Sequence, residues 1–91
     1  MTWDETNRLK NLKKHGLDFA NASWVLDSTH RLDVETLRRG EFRVQSFSYV
    51  LNVLATLTVV HTARDSKARI ISFRRASTEE REAYHEWLER K

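Results

Sequence analysis

The chain has 91 residues, 40% of them hydrophobic and 32% charged, with a formal net charge of +3 and no cysteine. That length supports one domain with a modest core, and leaves little room for a deep pocket or a large cofactor. Without cysteine there are no disulfides, no thiolate nucleophiles and no Cys-based zinc sites, a composition suited to a reducing compartment.

The opening Met1-Thr2-Trp3-Asp4-Glu5 has neither a basic nor an apolar leader segment, so no secretory signal is expected. The apolar-rich stretch from Val50 to Val60 is interrupted by Asn52, Thr56 and Thr58. It is far shorter than the roughly 20 residues of a membrane helix, so a soluble cytoplasmic domain with no membrane partner is expected. Charge is uneven along the chain. Residues 61–76 hold Arg64, Lys67, Arg69, Arg74 and Arg75 against Asp65, a local +4, and residues 1–16 add +2. Residues 17–37 carry −3 and the last fifteen carry −2. Such asymmetry fits one positive face for phosphate and a different face for another partner, although solvated surfaces also show uneven charge.

Asp4 is placed to cap a helix over residues 5–14, and Gly16 supplies the left-handed residue that ends it. Leu9 and Leu12 give this helix a thin apolar stripe, which predicts a surface position with its basic side outward. Asp18 caps a second short helix in which Phe19, Ala22, Val25 and Leu26 repeat at helical spacing. Residues 30–36 read as a weak strand, followed by a turn at Arg38-Arg39-Gly40-Glu41. Beyond it Phe42 and Val44 share one face while Phe47 and Tyr49 share the other, which predicts a bulge near Gln45-Ser46. Residues 54–62 and 68–75 are rich in β-branched side chains and read as strands. Short connections at 51–53 and 63–67 make these strands an antiparallel meander. Ser77 and Glu80 form a capping box that opens a last helix, with Arg81, Tyr84, Trp87 and Leu88 on one face. The expected architecture is therefore α+β over a single domain, residues 1–91. It has two N-terminal helices, a sheet of about four antiparallel strands and one C-terminal helix, with the helices on one sheet face.

Cleaving RNA without a metal requires a base for the 2′-OH proton, an acid for the leaving 5′-oxygen, and cations for the charge on phosphorus. The segment from His61 to Arg75 has those residue types. His61 is the proton-transfer candidate, and Arg64, Arg74 and Arg75 are the phosphate candidates. In a meander His61, Arg64 and Arg69 fall near the turn end, while Arg74 and Arg75 fall some 20 Å away at about 3.3 Å per residue. One compact site holding His61 and Arg74 therefore needs a staggered pairing or a strong twist. Structural alternatives stand beside each candidate. His61 shares a strand face with Leu57 and Val59 and reads equally as a half-buried, satisfied histidine. Arg74 and Arg75 point to opposite faces, so one of them is free to pair with Glu79 or Glu82. His15 beside Gly16 suits the carbonyls of a helix end. Trp3, Trp24, Trp87 and Tyr84 suit the core better than base stacking in so small a domain. His15, His30, His61 and His85 lack ligand-like spacing and the carboxylates are scattered, so no metal is expected. With only Gly16 and Gly40, a glycine-rich phosphate loop is excluded.

Trp3-Asp4, Asn11, Lys14-His15-Gly16 and Phe19 resemble the opening Trp-Asp-x-x-Lys-x-x-x-Asn-x-x-Lys-His-Gly signature of the BrnT toxins. Val60-His61-Thr62-x-Arg64 and Arg69-Ile70-Ile71-Ser72-x-Arg74-Arg75-Ala76 are similar to the family's two later signatures, and Tyr84 to its final Glu-x-x-x-Tyr. The resemblance spans nearly the whole chain in the family's order. It implies a RelE-like compact ribonuclease, the growth-inhibiting toxin of a type II toxin–antitoxin pair. The implied partners are an RNA substrate and a BrnA-like ribbon-helix-helix antitoxin, with operator DNA reached only through the antitoxin complex. By position it implies Lys14, His15, His61, Arg64, Ser72, Arg74 and Arg75 as functional residues. Joined to the residue reading, this makes His61, Arg64, Arg74 and Arg75 the catalytic candidates and Lys14, His15, Arg69 and Ser72 the RNA-binding ones. Two departures stand out: Asn7 replaces the family's first-helix lysine, and Asp27-Ser28 lacks its usual proline. The alternative reading is a non-catalytic antitoxin-binding or co-repressor module that has lost ribonuclease activity.

Overall fold

The computed structural model describes all 91 residues, and it opens with a two-residue strand, β1 (Thr2–Trp3), that lies parallel to a later strand. Two residues are too few for any alternation to be read from sequence. Helix α1 (Glu5–His15) follows, its first turn capped by the Asp4 carboxylate accepting from the Thr6 N–H at 2.9 Å. Gly16 ends it with φ 71, a left-handed conformation that costs glycine little, and its N–H donates to the Leu12 carbonyl.

The second helix expected from Asp18 is two pieces. Asp18 caps a 3₁₀ turn, Phe19–Ala22, which passes directly into the one-turn helix α2 (Ser23–Leu26). The burial explains the tighter winding. Phe19, Ala22 and Val25, each three residues apart, are all 0% exposed, and the three-residue winding of the first turn aligns Phe19 with Ala22 against the sheet.

Four strands then run as an antiparallel meander: β2 (Leu32–Arg38), β3 (Glu41–Val50), β4 (Ala55–Arg64) and β5 (Lys67–Arg75). With β1 beside β5 the order is β1-β5-β4-β3-β2, so the sheet is five-stranded and mixed rather than wholly antiparallel. The two tight hairpins turn at Arg39-Gly40 and Asp65-Ser66, all four residues with positive φ, the handedness that matches strand twist. Register runs unbroken through Gln45 and Ser46, so the expected bulge is not there. It lies in β5 instead: Val60 faces Ser72 and His61 faces Ile70, leaving Ile71 as the extra residue.

On β3, Phe47 and Val50 are buried on opposite sides of the sheet, whereas Phe42 is 72% and Tyr49 44% exposed. One face carries Val50, Leu57, Val59, Ile70 and Phe73 against Phe19, Ala22 and Val25. On the other face Phe47 and Thr58 are buried near α3 (Thr78–Glu89), whose Tyr84 is 2% exposed. The Tyr84 hydroxyl donates to the His30 carbonyl at 2.7 Å, tying α3 to the entry of β2. Helices thus cover both faces, not one, because α3 turns back across the sheet from the capping box at Ser77 and Glu80. No helix is long and apolar enough to cross a membrane.

Asn11, 8% exposed, joins the N-terminal helix to the sheet. Its amide nitrogen donates to the carbonyls of Phe73 (2.7 Å) and Leu17 (3.0 Å), and its oxygen accepts the Phe73 N–H (3.1 Å). The side chain thereby substitutes for a neighbouring strand along the open edge of β5. Asn11→Leu is expected to lower unfolding stability by about 2–4 kcal/mol in denaturant titrations, because it strands both backbone groups of Phe73 in a buried place. A loss below about 0.5 kcal/mol would show that the edge is satisfied some other way.

Candidate functional site

Strand alternation and register place Thr36, Arg38, Arg43, Gln45, Val60, Thr62, Arg64, Arg69, Ser72 and Arg74 on one sheet face. Helix α3 covers one end of that face, and the rest is open. A concavity of about 310 Å³ is lined by Thr36, Arg38, Arg43, Gln45, Val60, Ile71, Ser72 and Arg74. Toward α1 a second concavity shares Ile71 and Ser72 and adds Asn7, Lys10, Asn11, Lys14 and His15. Toward the β4–β5 hairpin a third, of about 650 Å³, shares Arg43 and Ile71 and adds Arg64, Arg69 and Phe42. These continuous hollows form a cleft rimmed by cations from α1, β2, β3, β4 and β5, with few carboxylates among them.

Arg74 is held by Glu80. Its two terminal nitrogens donate to the two carboxylate oxygens at 2.6 and 2.9 Å. The same carboxylate accepts from the Ser77 N–H at 2.8 Å and the Thr58 hydroxyl at 3.2 Å. These bonds, Arg74 first, hold the Glu80 carboxyl down to about 2 despite partial burial, and Glu80 raises the Arg74 guanidinium in return. The ion pair expected between an arginine of this strand and Glu79 or Glu82 is therefore made by Arg74 with Glu80. The capping box folds the Glu80 side chain back over the strand end, within reach of the inner arginine. Arg75, on the opposite face, is exposed and forms no ion pair.

His61 lies on that opposite face. It is 8% exposed, opposite Val44 and Ile70, with Val59 beside it along the strand. Ser46 Oγ donates to Asp33 at 2.6 Å, so at 2.8 Å from His61 Nε2 it must accept, which makes Nε2 the protonated ring nitrogen. Arg31 grips Asp33 through two bonds of 2.8 and 2.9 Å and completes the chain. Burial first, then Arg31, lowers the pKa of His61 while Asp33 opposes them. The structure thus separates His61 from Arg64, Arg69 and Arg74. The two-residue period it shares with Leu57 and Val59 is the signal that points this way in the sequence.

Lys14, His15 and Ser72 do come together, lining one hollow with Asn11. The pKa of His15 is held below its ordinary value by partial burial, then by the charges of Lys14 and Arg74. Arg64 and Arg69 share the face of Arg74 but not its position. Arg74 is opposite Thr58 and Arg69 opposite Thr62, about 13 Å farther along β4 at roughly 3.3 Å per residue.

Three cleft cations escape the sequence reading: Lys10, Arg38 and Arg43. Arg43 Nε is buried with no hydrogen-bond acceptor, its nearest carboxylate oxygen, of Glu41, standing 3.9 Å away. The turn at Arg39-Gly40 holds the missed signal. A two-residue turn pairs Arg38 with Glu41 and Thr36 with Arg43, which puts both arginines on the Arg74 side.

Because the carboxyl of Glu80 is depressed in the fold, it stabilises above the ordinary value of 4.5, and that stability is lost as pH falls toward about 2. Glu80→Gln should therefore be less stable than the parent at neutral pH, with the difference shrinking across that acid window in urea titrations. A difference that stays constant from pH 7 to pH 2 would assign the effect of Glu80 to packing alone.

A search of curated proteins finds no match. The family model described as the ribonuclease toxin, BrnT, of type II toxin–antitoxin systems matches residues 3–80. That span covers the edge clasp at Asn11, the cleft cations and Glu80, and the chain accordingly belongs to the BrnT family of type II toxin–antitoxin ribonuclease toxins.

Proposed function

We propose that this chain is a cytoplasmic, metal-independent endoribonuclease that holds RNA across the cation-rich sheet face and is silenced there by a ribbon-helix-helix antitoxin. One observation carries the reading. Lys14, His15, Ser72, Arg43 and Arg74, from three separate elements, border linked hollows on a single face. His15 is the general base. Its depressed pKa keeps the imidazole neutral near pH 7, able to take the 2′-OH proton as that oxygen attacks phosphorus. The 5′-oxygen departs with a proton from water or from Lys14, leaving a 2′,3′-cyclic phosphate.

Arg43 and Arg74 face the developing charge on phosphorus, fixed in advance by the sheet and, for Arg74, by Glu80. Arg64 and Arg69 hold phosphates farther along the strand, toward the β4–β5 hairpin. His61 and Arg75 act from the far face, His61 by positioning β3 against β4 through Ser46 and Asp33. The polar groups lining the two hollows are cations, amides, hydroxyls and the His15 imidazole rather than carboxylates, which suits electrostatic rather than metal-assisted cleavage.

A second reading has its own observation. Asn7 stands at the cleft where the family's pattern has lysine, and Arg74 is partly neutralised by Glu80. A protein without activity that still binds its antitoxin would fit that reading.

The test is cleavage of a defined RNA against pH, with and without EDTA, for the parent and for variants. Cleavage should persist in EDTA. His15→Ala should lose about 10²-fold or more and with it the acid limb of the profile. Arg74→Ala should lose on the order of 10²–10³-fold. His61→Ala should keep the shape of the profile while lowering the unfolding midpoint. Activity that needs a divalent ion, or a profile that follows His61 rather than His15, would overturn this mechanism.

A further inference from the structure

Gln45 is the polar group of the cleft that neither phosphate binding nor proton transfer employs. It lies on β3 between Arg43 and Phe47 on the same face, half-buried, and its side-chain amide makes no hydrogen bond within the protein. Across the sheet Val34, Gln45, Val60 and Ser72 are successive cross-strand partners, a straight row on the cleft face. At about 4.8 Å between strands, Gln45 and Ser72 stand roughly 10 Å apart with Val60 between them. Ile71, pushed out of register by the β5 bulge, adds a second aliphatic side chain to this floor.

The hollow around the row is about 310 Å³, with arginines 38, 43 and 74 at its margin. Its floor is aliphatic, one wall carries an unpaired amide, and the rim is cationic. Free phosphate would have no use for that floor or that amide. A nucleotide would use all three, with its base on Val60 and Ile71, its edge on Gln45 and its phosphate on the arginines. The guanidinium of Arg43 borders this hollow beside Arg38 and Arg74, so their charge falls where such a phosphate would lie.

We propose that Gln45 reads an adenine base of the bound RNA in this hollow. A carboxamide presents one acceptor and one donor side by side, which matches the amino group and adjacent ring nitrogen of adenine in a bidentate pair. Cytosine carries the same pair, and the aliphatic floor of Val60 and Ile71 favours the larger apolar face of the purine. The base must be unpaired to enter, so the substrate is single-stranded at this position. The assignment rests on the ribonuclease reading above, because it makes the adenine the determinant of where the strand is cut.

Two measurements test it. In the first, single-stranded RNA hexamers are methylated at every 2′-oxygen so that they bind without being cut, and binding is followed by fluorescence anisotropy. One hexamer is all uridine and the other carries a single central adenosine. The parent should bind the adenosine hexamer about tenfold more tightly, the low to middle range for one good bidentate contact. Gln45→Met, close in volume but without hydrogen-bonding groups, should bind both equally, at the affinity the parent shows for uridine. Gln45→Glu, with two acceptors and no donor, should also lose the preference. Equal melting temperatures confirm that these proteins are folded.

In the second, cut sites on a long unstructured RNA are mapped. The parent should show adenine enriched at one fixed distance from the cut, and Gln45→Met should cut with that enrichment gone. Equal hexamer binding by the parent, enrichment of another base, or a preference unchanged in Gln45→Met would overturn the assignment. Failure of the parent to cut any RNA would instead overturn the ribonuclease reading, and the hexamers would still decide the role of Gln45.

Discussion

The three hydrogen bonds of the Asn11 carboxamide hold the cleft together, because they fix the only helix that brings side chains to the β5 edge of the cleft. An exposed strand edge is open to any extended chain, and proteins manage such edges by covering them. Here β1 pairs with β5 at Arg69 and Ile70, and Asn11 takes over at Phe73. Because Asn11 sits in the middle of α1, the residues one turn away are brought to the same border. Asn7, Lys14 and His15, three or four residues from Asn11 on the same helix face, enter the cleft by that route, and Lys10 borders it beside them. A surface helix with so thin an apolar stripe would not hold its position by burial alone. The backbone of Phe73 supplies the specificity that its few leucines cannot.

At the other end of the face a single carboxylate performs several tasks. Glu80 closes the capping box of α3, accepts from Thr58 on β4, and grips Arg74 on β5 with both oxygens. A surface ion pair is worth little, but a bidentate pair tied into a helix cap and a strand hydroxyl keeps its geometry without much further loss of side-chain entropy. The arginine is thus pre-aimed. Its charge is partly spent on Glu80, whereas Arg43 has only the more distant Glu41 carboxylate, 3.9 Å from its Nε. The two arginines share a face and differ in how free they are, a division that residue type alone does not reveal.

Helix caps, turns and the later strands were legible because each is specified by neighbours in sequence: Asp4 and Gly16, Arg39-Gly40, Ser77 and Glu80. What depended on distant pairing was read less well. Strand β1 has no pattern of its own, being a pair of residues that a parallel neighbour happens to hold. The switch of face from Phe42 and Val44 to Phe47 and Tyr49 points to a bulge only if every apolar side chain is buried on one face; Phe47 is buried on the α3 side, while Phe42 and Tyr49 are exposed. The candidate site suffered from the same cause. Composition pointed to the basic segment and the family pattern to Lys14, His15 and Ser72, but which strand residues share a face was fixed by register. Register moved His61 to the core side with Val59 and brought in Arg38, Arg43 and Gln45 from a hairpin whose charges had not been weighed.

Gathering cations on one face has a cost that shows in two places. Arg43 keeps a buried donor unsatisfied, and the pKa of His15 is pushed down by burial together with the charges of Lys14 and Arg74. The His15 shift reports burial first and the positive charge of the cleft second, in a cleft relieved mainly by Glu80 at Arg74. A polyanion entering the cleft cancels part of that field, since each phosphate neutralises cations that repel one another while it is absent. Charge near His15 then changes sign or falls, and the imidazole becomes a stronger proton acceptor in the complex than in the free protein. Linkage requires the converse with equal strength: a protonated His15 favours phosphate in the cleft. On the mechanism proposed above, substrate arrival and base strength would be coupled through electrostatics alone, with no conformational change required. On that mechanism the surplus positive charge that destabilises the free face would, once RNA is bound, strengthen the group that starts the reaction.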